Sequence, residues 1–272
     1  MLSRYSHKGI TWIDLESPTR EEVAMIADEF SLHPLIISEL AGQVDRPKVD
    51  HYENAIYIVL HFPIRNRSTG RIEEAEIDFI LLGDTLITAR YELVDPLHDF
   101  ARMFDAGTLL ANAAPGTHAG VLFFLQMREL YKHSFFLLGS TESAIRELER
   151  DIFKGEETKM VERLSRASGA LIDIRAALRS HKETLRSFGT IAERVYDESF
   201  RNYMNVIEGE CAHLDQALEE NRQMVQDLRR TNDSLLATKT NDTMRRLTAV
   251  NVIFMPVSLV ALIFAMESPY LR

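Results

Sequence analysis

The chain has 272 residues, 46% hydrophobic and 26% charged, with a formal net charge of −10, an ordinary globular balance with room for one large domain or two smaller ones. The acidic surplus excludes nucleic acid and anionic lipid surfaces as partners recruited by bulk charge. A lone cysteine, Cys211, excludes an intrachain disulfide and points to a reducing cytoplasmic setting, and the opening MLSRYSHKGITW predicts no signal peptide.

In chain order, ITWIDLESPTREEVAMIADEF reads as a strand and then a helix opened by Ser17 as N-cap with Pro18 at the first turn. Residues 55–62, 75–84 and 85–91 are rich in β-branched and aromatic side chains bounded by turn formers, and each predicts a strand. Gly83-Asp84 predicts a hairpin between the last two. Period-two spacing puts Glu74, Glu76 and Asp78 on one strand face, expected to be solvated. Residues 1–116 are therefore expected to form an α/β domain with a mixed sheet.

After Ala113-Ala114-Pro115-Gly116 glycine becomes sparse, and no proline follows until Pro256. Helices are predicted at about 118–153, about 157–188 and about 197–266, with a turn at Lys154-Gly155. The first two occupy 117–196, and the third forms a stalk over 197–246 before its apolar end. The last helix is a rod on the order of 100 Å. Such a rod is expected to pack against copies of itself.

From Leu247 to Met266 no residue is charged, and the run has the length of a bilayer-crossing helix. Arg245 and Arg246 immediately before it place the N-terminal side in the cytoplasm, leaving 267–272 as a short outer end. The hydrogen-bonding side chains of the run are Thr248, Asn251 and Ser258. With Thr248 at zero, Asn251 falls near about −60° and Ser258 near about −80° on a helical wheel. Asn241, Met244, Met255 and Leu262 fall on the same stripe. Its steps alternate three and four residues, as in a heptad seam. Two readings stay open: polar glue to a partner helix, or the lining of a pore that contacts a cation through its hydration shell. The second suits Mg²⁺, which gives up its waters reluctantly.

The stretch TNDTMRRLTAVNVIFMPVSLVALIFAME resembles the pore-helix signature of CorA-type divalent metal transporters. Asn241, Met244, Leu247-Thr248, Ile253-Phe254 and Pro256 stand at matching spacing. WIDLESPT, His33-Pro34, RPKVDHYENAIYIVLHFP and EIDFILLGDTLITAR resemble the family's cytoplasmic domain in order and distance. The resemblance implies a funnel-shaped homopentamer that passes Mg²⁺, Co²⁺ or Ni²⁺ down its gradient, with the helices over 117–196 packed alongside the stalk as a hairpin. The pore would be lined by Asn241, Met244, Leu247, Thr248, Asn251, Met255, Ser258 and Leu262, with Met244 and Leu247 as a hydrophobic gate.

Two departures stand out. Where the family has Gly-Met-Asn at the pore mouth, this chain has Ala265-Met266-Glu267, so five copies would bring a ring of carboxylates. The family pattern also continues into a second membrane helix and a basic tail, so a chain ending at Arg272 is expected to be a shortened form. The family's regulatory divalent-ion site between subunits would fall on Glu53 and Asn54 with Asn205 and Glu208. Asn in place of Asp keeps an oxygen ligand but lowers the charge there. No His-Glu-x-x-His, Cys/His cluster, phosphate-binding glycine loop, dinucleotide fingerprint or Gly-x-Ser-x-Gly occurs. No enzyme and no resident cofactor are expected; a divalent cation would be cargo and regulator. A zinc transporter on the same scaffold and a non-transporting membrane-anchored scaffold are the alternatives.

Overall fold

Alternating side chains along its strands give this chain a sheet buried on both faces. The computed structural model describes residues 1–42, 44, 46–106, 118–155, 157–196 and 198–267, without the side chains of residues 158, 266 and 267. The boundary expected at 113–116 and the end at 268–272 lie outside the described residues. The first part runs β1 (Leu2–His7), β2 (Ile10–Glu16), α1 (Arg20–Phe30), α2 (Pro34–Leu40), β3 (Lys48–His51), β4 (Ile56–Arg65), β5 (Ile72–Leu82), β6 (Thr85–Arg90) and α3 (Asp95–Asp105). The second part is helical: α4 (Ala119–Asp151), α5 (Glu157–Leu178), α6 (His181–Val195) and α7 (Phe200–Glu267).

The sheet has six strands in the order β1-β2-β6-β5-β4-β3. It is mixed, with β2 and β6 parallel and the other pairs antiparallel. Gly83, at φ 50, turns β5 into β6 as a hairpin. Trp12, Ile58, Phe79 and Leu86 point to the face covered by α3 and α4, whereas Ile13, Tyr57, Ile80 and Ile87 point to the face covered by α1 and α2. One residue of register separates the two sets, so a slip would exchange both cores at once.

Local chemistry explains where the elements differ from expectation. The N-cap of α1 is Thr19, not Ser17: the Glu22 amide donates to Thr19 Oγ1 at 3.2 Å and the Thr19 amide donates to Glu22 Oε2 at 2.9 Å. That reciprocal capping box satisfies two donors, which a single cap does not. Ser17 instead takes a left-handed turn at φ 43, and its hydroxyl donates to Tyr91 O. The helix α2 is short, with Pro34 in its first turn and the ring of His33 accepting the Leu35 amide. The helix expected over 157–188 is broken: α5 stops at Leu178 and α6 starts at His181. His181 is fully buried there, one ring nitrogen 2.8 Å from the Tyr131 hydroxyl and the other 2.7 Å from His61 O. These two contacts anchor the first residue of α6 to α4 and to the sheet.

A continuous core joins sheet, hairpin and stalk. Phe123 of α4 stands edge-on to Phe79 of the sheet at 5.1 Å and to Phe188 of α6 at 5.0 Å. Each such pair adds about 0.5–1.5 kcal/mol beyond its buried area. Gly120 is held close between His118 and Phe200, where a Cβ would come within 2.9 Å of both rings. Along α7 the buried residues are Phe200, Met204, Ile207, Cys211, Leu214, Leu218, Asn221, Val225, Leu228 and Asn232. They alternate steps of four and three, so one seam faces α4, α5 and α6. Past Leu236 every residue of α7 whose side chain is described is exposed.

Candidate functional site

Among the described residues, α7 carries the one segment long and apolar enough to cross a membrane, and the chain buries none of it. The helix is unbroken over 68 residues, about 100 Å at about 1.5 Å per residue. Pro256 lies inside it without ending it. Lacking an N–H, Pro256 leaves the Val252 carbonyl without its helical donor. That carbonyl belongs to a residue about 40° from Thr248 on the wheel, at the edge of the polar stripe.

Asn241, Met244, Leu247, Thr248, Asn251, Met255, Ser258 and Leu262 are all exposed, as is Ala265 at the far end. The side chains of Met266 and Glu267 lie outside the described residues. Extending the wheel back to the buried seam, the stripe is centred roughly 130° from Asn232. It thus points away from the chain's own hairpin. Its polar groups are of two kinds. Thr248 Oγ1 donates to Met244 O at 2.9 Å, and Ser258 Oγ donates to Phe254 O at 2.8 Å. Each hydroxyl spends its proton on the backbone and turns lone pairs outward, as a hydrated cation requires. The amides of Asn241 and Asn251 make no hydrogen bond to any described residue. An amide at membrane depth must find water or another helix.

The four residues expected to bind a regulatory ion are not brought together within one chain. Glu53 and Asn54 occupy the exposed β3–β4 turn, in a cleft shared with His51 and Asp84. The Asn54 amide nitrogen donates to Phe30 O and Ser31 O, closing the end of α1. Asn205 and Glu208 lie in another cleft, on the first turns of α7 beside Arg186 and Glu193 of α6. No group of three or more His, Cys, Asp or Glu side chains poised for a metal occurs among the described residues.

The strand face expected to be solvated is partly a buried polar centre. Glu74 is exposed, but Glu76 and Asp78 are buried beneath α2 and the segment after it. Glu76 Oε2 accepts the Val44 amide at 2.7 Å. The hydroxyls of Tyr57 and Tyr91 sit 3.2 Å from the two Asp78 oxygens. Burial, and then the charge of Glu76, push the Asp78 carboxyl well above the usual range. Burial and the nearby Asp78 likewise raise both tyrosines. The period-two pattern located these carboxylates on one face; only α2, unrecognised in the sequence, shows that the face is covered. Also missed was the clamp between stalk and hairpin, where Lys239 Nζ reaches Glu157 Oε2 at 2.8 Å and Asn232 Nδ2 donates to Glu157 O at 3.3 Å. Local sequence carries no signal for such a long-range pair.

The model for the family described as CorA-like Mg²⁺ transporter protein matches residues 7–271. The chain is 23% identical over 265 residues to the cobalt/magnesium transport protein CorA of Thermotoga maritima, covering 96% of this chain and 74% of that one. In fold it is similar to the complete CorA magnesium transporter of Methanocaldococcus jannaschii, with a TM-score of 0.80 at 16% identity, over 94% of this chain and 79% of the other. The full-length CmaX protein is similar too, with a TM-score of 0.75 at 16% identity, over 92% of this chain and 76% of the other.

Proposed function

Because the chain belongs to the CorA-like Mg²⁺ transporter family, a family of divalent-cation transporters, we propose that it passes Mg²⁺, Co²⁺ or Ni²⁺ through a homopentameric pore walled by α7. One observation carries this reading: the polar stripe of α7 lies on the face turned away from the buried seam. Five copies with their hairpins outward would direct the stripes to a common axis and the remaining apolar surface to lipid and neighbouring helices. The cation would move with its inner waters, which the outward lone pairs of Thr248 and Ser258 and the free amides of Asn241 and Asn251 can accept or donate to. Met244 and Leu247, near the cytoplasmic end, would close the path by excluding water when the helices draw together. Arg245 and Arg246 would keep that end in the cytoplasm. Glu53 and Asn54 of one copy would meet Asn205 and Glu208 of the next to hold a regulatory ion.

The test is ion flux into liposomes with Asn251→Leu. Replacing the amide removes the polar contact midway along the stripe, and Mg²⁺ and Co²⁺ flux should fall at least about tenfold, the effect of about 1.4 kcal/mol on a barrier. A parallel change outside the stripe, Val260→Leu, should leave flux intact. Equal flux in all three proteins would remove Asn251 from the pathway, and preferential inhibition by Zn²⁺ would favour zinc as cargo. A monomeric mass by light scattering would overturn the pentamer.

A further inference from the structure

In a chain of net charge −10, one cleft is basic. It opens where the β4–β5 turn meets the flanks of α4 and α5, with a volume of about 910 Å³. Four arginines line it, Arg65, Arg71, Arg163 and Arg166, against two carboxylates, Glu147 and Asp173. Two of the arginines are engaged: Arg163 Nη1 meets Asp151 Oδ2 at 2.8 Å, and Arg166 pairs with Glu162 one turn away. The other two retain their charge. Arg65 is oriented by neutral atoms, its Nη2 donating to Ser140 Oγ at 2.9 Å and its Nη1 to Gly70 O at 3.4 Å. Arg71 is exposed and makes no ion pair with any described residue. A guanidinium fork fixed by neutral partners is arranged for an incoming oxyanion.

The wall beside these arginines is of another kind. Ala167, Gly169 and Ala170 of α5 line it and leave an apolar shelf without bulky side chains. Small-molecule sites occupy about 300–1,000 Å³, so the cleft accepts more than a lone phosphate.

The position separates a soluble ligand from a lipid. Glu157 pairs with Lys239, and Arg175 with Glu219, so α5 runs antiparallel to α7. Arg166 is therefore level with roughly residue 229, about 25 Å short of the apolar run that begins at Leu247. The headgroup layer on each side of a bilayer is only about 5–8 Å deep. A lipid phosphate stays out of reach.

We propose that this cleft binds a nucleoside di- or triphosphate, its phosphates between Arg65 and Arg71 and its base on the shelf of α5. The test is isothermal titration of the full chain in detergent with ATP, ADP, inorganic phosphate and adenosine. ATP and ADP should bind saturably, inorganic phosphate more weakly, and adenosine not at all. Arg71→Gln should weaken ATP binding about tenfold or more, as loss of a charge-assisted hydrogen bond does, and Arg71→Lys should weaken it less. Arg67→Gln should leave it unchanged, because Arg67 lies outside the cleft and pairs with Asp95. Arg71 is exposed and contacts no carboxylate, so its variants should melt with the parent protein. Absence of heat from ATP and ADP at millimolar concentration would overturn the proposal. So would adenosine binding equal to that of ATP, ATP binding indifferent to Arg71→Gln, or Arg71-dependent binding to phosphatidylglycerol vesicles without nucleotide binding.

Discussion

Acidification should loosen the joint between α5 and α6 through one residue. His181 is fully buried. The carbonyl of His61 can only accept, so Nε2 of His181 carries the proton and Nδ1 accepts from the Tyr131 hydroxyl. The ring is thus held neutral, and burial pushes its pKa down to about 4 from 6.5. The unfolded chain takes up a proton near 6.5 that the folded chain refuses until about 4. Stability is therefore intact above about pH 6.5, falls as pH drops towards 4, and from this residue changes no further below that. Two to three pKa units correspond to about 3 kcal/mol, or roughly 5–10 °C in melting temperature for a chain of this size. The assay is thermal unfolding of the detergent-solubilised protein by near-ultraviolet circular dichroism, in steps from pH 7.5 to about 4.5, beside His181→Gln. Gln can still donate to His61 O but cannot titrate. It should cost about 1 kcal/mol at neutral pH for the lost tyrosine bond and show a shallower acid slope. Parallel slopes in the two proteins would refute the reasoning, because other groups would then carry the whole loss.

Asp78→Asn should leave stability unchanged or raise it at pH 8. The folded carboxyl holds its proton above the unfolded value, so a native Asp78 is a growing liability as pH rises from about 4; a loss above about 1 kcal/mol by urea unfolding would show an ionised, well-bonded carboxylate instead. On the proposed pore, Glu267→Asn should make Mg²⁺ and Co²⁺ flux into liposomes less sensitive to mild acid, because carboxylates at its mouth would bind cations in competition with protons and amides would not. Identical pH profiles for parent and variant would take Glu267 off the pathway.

Much of the sheet is legible in the sequence because β4, β5 and β6 are long apolar runs with a glycine turn between the last two. The edge strands are not: β1 mixes exposed and half-buried residues, β3 is half-buried except for its exposed last residue His51, and LSRYSH and KVDH carry little apolar signal. The polar stripe of α7 is legible too, because an apolar background makes three polar side chains conspicuous. Its relation to the seam is hidden, since the seam is defined by contacts with helices far away in sequence. The same limit hides the break at 179–180, where helix-forming residues continue through the joint and a buried histidine with two distant partners anchors the start of α6. Glu76 and Asp78 show the converse, a correct face assigned the wrong surroundings because the covering helix has only seven residues.

The clamp of Glu157 on Asn232 and Lys239 gives α7 a fulcrum near the point where its burial ends. Beyond Lys239 the helix runs free for 28 residues to Glu267, an arm of about 42 Å. A tilt of only about 5° at the fulcrum would sweep the far end through about 4 Å, more than the diameter of a water molecule. Displacements too small to disturb the packing of Val225 or Leu228 are thus magnified at the tip. The helix continues through the arm, losing only the Val252–Pro256 rung of its hydrogen-bond ladder, and so stays stiff enough to carry them. Small shifts in the sheet and hairpin can thus reach the apolar end of α7 by leverage, without refolding anything.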